Sequence, residues 1–268
     1  MATRDEALEI DIAGERIAGT LIVPDTRMPG VLFLHGWGGN QVQYAARARE
    51  IAALGCACLT VDMRGHAATV REKAKVTRED NLRDALAAYD HLAIEPAVDR
   101  NRIAVVGSSY GGYLATILTE LRPVRWLALR APALYKDSEW DLPKLALRQA
   151  QRLEDYRRLS LVPEANRALR AAAAYEGDVL IVESENDTIV PHEVLANYRS
   201  ACKKARSLTC KTLAGADHGL TDPARREAYT KLLVNWISTR VAQDVTDDAA
   251  AQKRLRDAMK TQTAIKTA

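Results

Sequence analysis

The sequence predicts an α/β protein built on a mostly parallel sheet with helices on both faces. Three observations carry that expectation: short, uninterrupted apolar runs, segments of helical periodicity alternating with them, and no internal repeat or low-complexity linker to break the alternation. With 268 residues, 47% of them hydrophobic and 27% charged, the chain can bury a large core within one main unit.

The elements follow in order. "ALEIDIAGERIAGTLIVP" alternates apolar and polar residues on each side of Ala13-Gly14-Glu15 and reads as a hairpin. Val31 to Leu34, Cys56 to Val61, Ile103 to Val106, Trp126 to Leu129 and Val179 to Val182 are continuous apolar runs, as suits strands buried on both faces. "SLTCKTLAGADHG" offers a last strand. Between them, "QYAARAREIAALG" reads as a helix closed by Gly55 at C′. "REDNLRDALAAYDHLA" carries Leu82, Leu86, Tyr89 and Leu92 at helical spacing before Pro96. Residues 131–175 interrupt the rhythm with Pro132, Pro143 and Pro163, and are expected to form a small helical insertion or lid over the sheet's carboxyl edge. "PARREAYTKLLVNWISTRVAQ" is a long helix that closes the domain at residue 243, and residues 244–268 form a tail expected to be a peripheral helix. Parallel sheets bind ligands beyond the carboxyl ends of their strands, which directs the search for function there.

Charge and composition exclude several classes. A net charge of +3 with Lys and Arg scattered among Asp and Glu predicts no nucleic acid or anionic membrane as partner and favours a neutral or mixed-charge small molecule. The N-terminal Met1-Ala-Thr-Arg-Asp-Glu has no apolar leader core, and no apolar run approaches the ~18 residues of a membrane span, so the expected location is cytoplasmic. Cys56 and Cys58 share one face of a strand. Together with Cys202 and Cys210 they read as buried free thiols, with no metal site expected. No oligomeric state is assigned from sequence.

The chemistry concentrates in Gly107-Ser108-Ser109-Tyr110-Gly111, a G-x-S-x-G pattern after the strand "RIAVV" and before the helical "GGYLATILTE". A serine that lifts its hydroxyl clear of a sheet must occupy a cramped turn, where only glycine fits two residues before and after it. Ser109 is therefore the nucleophile candidate, with Ser108 facing away; the plainer alternative is a helix cap. A serine needs a base, itself oriented by a carboxylate. His218, in the loop after the last strand, is favoured over His66, His91 and His192. Asp187, just before Ile189-Val190-Pro191, is the favoured carboxylate, with Glu183 and Glu185 as alternatives. "VLFLHGWGGN" supplies small residues around an oxyanion site whose donors would be the backbone N–H groups of Trp37 and Tyr110. A phosphate-cradle reading of that turn fails because neither G-x-x-x-x-G-K-[ST] nor a helix-opening G-x-G-x-x-G is present. Tyr135, Trp140 and Leu142 of the insertion are candidate substrate-binding residues.

Through "LHGWGGN", "LTVDMRGH", "GSSYGGY", "ESENDTIVP" and "GADHG", the chain resembles the α/β-hydrolase superfamily over roughly residues 8 to 240. It is most similar there to the compact serine esterase and dienelactone-hydrolase-like branch, and to the catalytic domains of prolyl-oligopeptidase-type peptidases. The resemblance implies the α/β-hydrolase fold with an eight-stranded, mostly parallel sheet, no cofactor, and Ser109, Asp187 and His218 as a triad. Dienelactone hydrolases carry cysteine where Ser109 stands, so their reaction is not implied. Ala67 and Ala68 depart from a glycine and a later serine frequent in relatives. Only about thirty residues precede "LHGWGGN", against the large propeller of oligopeptidases, so a size-excluding peptidase is not expected. The expected activity is a serine hydrolase that cleaves a small or medium carboxylic ester through an acyl-enzyme. The alternatives are a thioester or short acyl-peptide substrate, a perhydrolase side activity, and a noncatalytic ligand-binding protein of the same fold.

Overall fold

Eight strands form a single sheet in the order β1-β2-β4-β3-β5-β6-β7-β8. The computed structural model describes residues 3–12, 14–24 and 28–266. β1 (Thr3–Ile12) and β2 (Glu15–Pro24) make the expected hairpin, with Gly14 at φ +89° in its turn. Ala13, the other expected turn residue, lies outside the described residues. β2 joins β4 (Ala57–Val61) antiparallel. From there the pairings through β3 (Met28–Leu34), β5 (Val98–Ser108), β6 (Trp126–Arg130), β7 (Asp178–Asn186) and β8 (Ser207–Asp217) are all parallel. This is the α/β-hydrolase fold.

The two-residue period of the strands sorts their side chains into two cores. Leu32, Leu34, Ile103 and Val105 face α2 (Arg78–Ile94), α3 (Tyr110–Leu118), α6 (Arg167–Ala174) and α7 (His192–Ala201). Val31, Phe33, Ala104 and Val106 face α1 (Val42–Ala52) and α8 (Pro223–Lys266), together with Cys56 and Cys58. The predicted helices are present, with local differences. α1 stops at Ala52, and the chain tightens through Ala53 and Leu54 before Gly55 takes φ +92°. α2 begins at a capping box in which Thr77 and Asp80 satisfy each other's backbone N–H groups. Cys210 is exposed on β8, unlike the buried thiol expected from sequence, because the edge strand turns alternate residues to solvent; all four cysteines are free.

Residues 131–166 leave the alternation for two one-turn helices, α4 (Leu147–Ala150) and α5 (Leu153–Tyr156). α6 then returns to the core layer through Ala168, Leu169 and Ala172. α8 runs unbroken past residue 243, and Asp244, 5% exposed, pairs with Arg102 at 2.9 Å and Arg125 at 2.6 Å. Among the described residues no helix is long and apolar enough to cross a membrane.

Candidate active site

The chain turns from β5 into α3 at Ser109, whose backbone sits at φ 52°, ψ −115°. That is a strained conformation for a residue with a side chain, and it persists because the surroundings fix it. The Ser109 N–H donates to Arg130 O at 2.9 Å, and its carbonyl accepts from Tyr113 N–H at 3.1 Å and Ala133 N–H at 3.0 Å. The flanking glycines are required sterically. A Cβ on Gly107 would lie 2.5 Å from Gly111 O, and one on Gly111 would overlap Leu34 O and lie 2.6 Å from His35 O. Gly111 therefore packs the Ser109 turn directly against the end of β3.

Three residues from three strand ends meet there. His218 Nε2 lies 3.0 Å from Ser109 Oγ, and its Nδ1 lies 2.6 Å from Asp187 Oδ2. With Nδ1–H donated to the carboxylate, Nε2 is left to accept from the serine hydroxyl. Asp187 Oδ1 accepts backbone N–H groups from Ile189 at 2.9 Å and Val190 at 2.8 Å. Burial pushes the Asp187 carboxyl up, but the His218 hydrogen bond and charge, with the two N–H donors, hold it below its ordinary value. The alternative carboxylates are engaged elsewhere. Glu183 pairs with His192 and Arg199, and Glu185 accepts Gly215 N–H at 2.6 Å. Arg130, at the end of β6, donates to the His218 carbonyl at 2.8 Å and to Ser184 Oγ at 3.3 Å, tying strand β7 to the loop after β8.

The opposite wall is the turn after β3. Gly36 comes so close that a Cβ there would lie 3.3 Å from Ser109 Cβ. Trp37 follows it, and Tyr110 is the first residue of α3, where helix N–H groups have no intrahelical partner. Two histidines lock this turn to the loop after β4. His35 Nε2 accepts from Met63 N–H at 3.1 Å, and His66 Nε2 accepts from Gly38 N–H at 3.1 Å. Their Nδ1 atoms donate to carbonyls: His35 to Gly36 O, His66 to Met63 O and Arg64 O. The His66 ring also meets Trp37 edge-on, with centroids 4.7 Å apart. Both histidines must be neutral to accept at Nε2. Burial lowers His35 to about 4 and, helped by the charge of Lys73, also lowers His66.

Of the insertion residues singled out from sequence, Tyr135 is buried with its ring 5.7 Å from Tyr110. Trp140 stacks at 6.4 Å on Tyr113, one ring further away, and Leu142 is exposed. Sequence reasoning passed over Lys144, whose Nζ lies 4.7 Å from the Trp37 ring centroid and 5.0 Å from that of Tyr110. It also passed over the two clasping histidines. The available signal was their place at strand ends, in "LHGWGGN" and "LTVDMRGH".

The profile of the prolyl oligopeptidase family matches residues 39–244, which contain Ser109, Asp187 and His218. The chain belongs to the prolyl oligopeptidase family. Among curated members and relatives, this prolyl oligopeptidase family chain is 32% identical over 107 residues to the alpha/beta hydrolase domain-containing protein WAV2 of Arabidopsis thaliana, covering 40% of the chain and 34% of that protein. It is 32% identical over 111 residues to acylamino-acid-releasing enzyme 2 of Oryza sativa subsp. japonica, covering 38% and 14% respectively. The chain spans about a third to about half of the length of the first curated relatives it matches. Solved structures share the fold. Est1E from Butyrivibrio proteoclasticus superposes with a TM-score of 0.67 at 18% identity, covering 88% of this chain and 99% of that one. Pyrococcus horikoshii acylaminoacyl peptidase superposes with a TM-score of 0.67 at 17% identity, covering 90% of this chain and 42% of that one. The family match and the solved structures agree on the α/β-hydrolase fold.

Proposed function

We propose that the protein hydrolyses a small or medium carboxylic ester through an acyl-enzyme, with Ser109 as nucleophile, His218 as general base and acid, and Asp187 as the orienting carboxylate. The observation that carries this reading is the unbroken chain from Ser109 Oγ through His218 to Asp187, anchored on a strained turn. His218 Nε2 takes the hydroxyl proton as Oγ bonds to the carbonyl carbon. The carbonyl oxygen, now carrying the electron pair, faces the N–H groups of Trp37 and Tyr110, where each donor contributes about 10²- to 10³-fold in rate. Collapse breaks the bond to the alcohol oxygen, which receives the proton from His218. Water then attacks the acyl carbon with His218 again as base, releasing the acid and restoring Ser109.

A bacterial heroin esterase, among the proteins of shared fold, supports the ester reading. The family match and the acylaminoacyl peptidase support a second reading, in which the acyl group is a short acyl-peptide. A fluorophosphonate should label the wild type and leave Ser109→Ala unlabelled. A panel of p-nitrophenyl esters run beside aminoacyl anilides separates the readings: esters alone turned over supports the first, anilides turned over comparably supports the second. Equal labelling of the Ser109→Ala protein would remove both.

A further inference from the structure

Three buried cations converge on one ring beside the triad. Lys144 Nζ, Arg157 Cζ and Arg78 Cζ lie 4.8, 5.1 and 5.8 Å from the centroid of Tyr135. The three residues are only 7%, 9% and 0% exposed. Arg157 donates to the carbonyls of Leu134 and Ile189, and Arg78 to those of Lys136 and Ser138, so neutral oxygens take up their N–H groups without cancelling their charge. The nearby carboxylates are committed to other partners, Asp84 to Arg64 and Asp137 to Arg170. Among the described residues, no ion pair joins Lys144, Arg78 or Arg157 to a carboxylate.

Lys144 is the member of this group that lies against both Trp37 and Tyr110, the neighbours of Gly36 and Ser109 in the chain. Its ammonium lies 4.7 and 5.0 Å from the ring centroids of Trp37 and Tyr110, the two residues whose N–H groups the hydrolase reading assigns to the carbonyl oxygen. Its backbone is fixed by donation to Val76 O at 2.7 Å, next to the bridge between Thr77 and Pro143. Aromatic faces attract a cation but do not neutralise it, and a desolvated charge without a counter-ion is costly. Tyr135 acts as a built-in probe of the potential. Burial pushes its phenol up, yet the charges and hydrogen bonds of Lys144 and Arg157 bring it below its ordinary value. Lys73 adds another cation 5.5 Å from the Trp37 ring.

We propose that Lys144, backed by Arg157, anchors a carboxylate carried by the substrate, so that the enzyme prefers esters bearing a negative charge to their neutral isosteres. This rests on the serine-hydrolase reading of Ser109 and sharpens its substrate class.

The test compares charged and neutral esters in two arms. One places the carboxylate on the acyl side, p-nitrophenyl hemiglutarate against p-nitrophenyl valerate. The other places it on the alcohol side, the valerate of 4-hydroxybenzoate against that of 4-hydroxybenzamide. The expected result is a preference of about tenfold or more in kcat/KM for the charged ester in one arm. That ratio should fall toward unity in Lys144→Met, chiefly through KM, and be regained in Lys144→Arg. No preference in either arm, or one unaltered in a folded Lys144→Met protein, overturns the proposal. Calorimetric titration of Ser109→Ala protein with monomethyl glutarate and with dimethyl glutarate gives a readout that needs neither turnover nor the Lys144 variant. Selective binding of the monoacid supports the anchor, and equal or absent binding overturns it. A protein that a fluorophosphonate labels at Ser109 but that shows no charge selectivity loses the anchor alone. One that binds the monoacid selectively but is not labelled keeps the anchor and loses the hydrolase reading.

Discussion

Acid should open the histidine clasp from the β3 side, with a magnitude set by His35. The ring accepts the Met63 N–H at Nε2, which it can do only while neutral, and burial lowers its pKa from 6.5 to about 4. As pH falls below the unfolded value, the unfolded chain binds a proton at this position and the native protein does not. Stability is therefore lost through the window between the two values, and the loss ends once the native ring also protonates. At about 1.4 kcal/mol for each unit of separation, the shift from 6.5 to about 4 corresponds to about 3 kcal/mol. His35→Gln supplies an amide oxygen that can accept the same N–H without titrating. Urea unfolding followed by circular dichroism should show wild type more stable than the variant near neutral pH. That advantage should shrink by about 3 kcal/mol on going to about pH 4. An advantage that stays constant across the window would refute the assignment of a neutral, accepting His35.

The strain at Ser109 predicts a split between activity and stability: Ser109→Ala and Ser109→Gly should both lose about 10⁴- to 10⁶-fold in kcat. Only the glycine variant sheds the cost of φ 52°, and chemical denaturation should find it about 1 kcal/mol more stable than the alanine variant. Gly111→Ala drives a Cβ into the backbone oxygens of Leu34 and His35, which cannot yield as a side chain would. A destabilisation on the order of 3 kcal/mol and loss of ester turnover are expected. Asp244→Ala removes the carboxylate shared by Arg102 and Arg125, whose side chains are 23% and 32% exposed. Because water still reaches both guanidinium groups, the expected cost is only about 1–2 kcal/mol, read as a lowered thermal midpoint.

The features legible in the sequence were those encoded locally. Strands such as Val31 to Leu34 and Ile103 to Val106 announce themselves because burial on both faces demands unbroken apolar runs, and Ser109 because its glycines stand within two residues of it. Asp187 and His218 could be located by chain order and strand ends, and the geometry brings both to Ser109. What escaped was long-range. His66 meets Gly38 across 28 residues of sequence, and its role depends on which ring nitrogen carries the proton. Lys144 was hidden by averaging: a net charge of +3 says nothing about cations gathered on one ring. The end of α1 is not legible locally, because Ala53 and Leu54 favour helix as strongly as their predecessors and only the tertiary turn toward β4 stops it at Ala52.

The strand ends that carry Ser109, Asp187 and His218 belong to the sheet, while Lys144, Tyr135 and Arg157 all ride on the excursion between β6 and α6. For protein engineering, this separates two search problems. A combinatorial library confined to residues 131–166 samples new pocket shapes and charges while every clone inherits the same strained serine and its partners. Grafting the corresponding stretch from a relative tests whether substrate preference travels as a cassette.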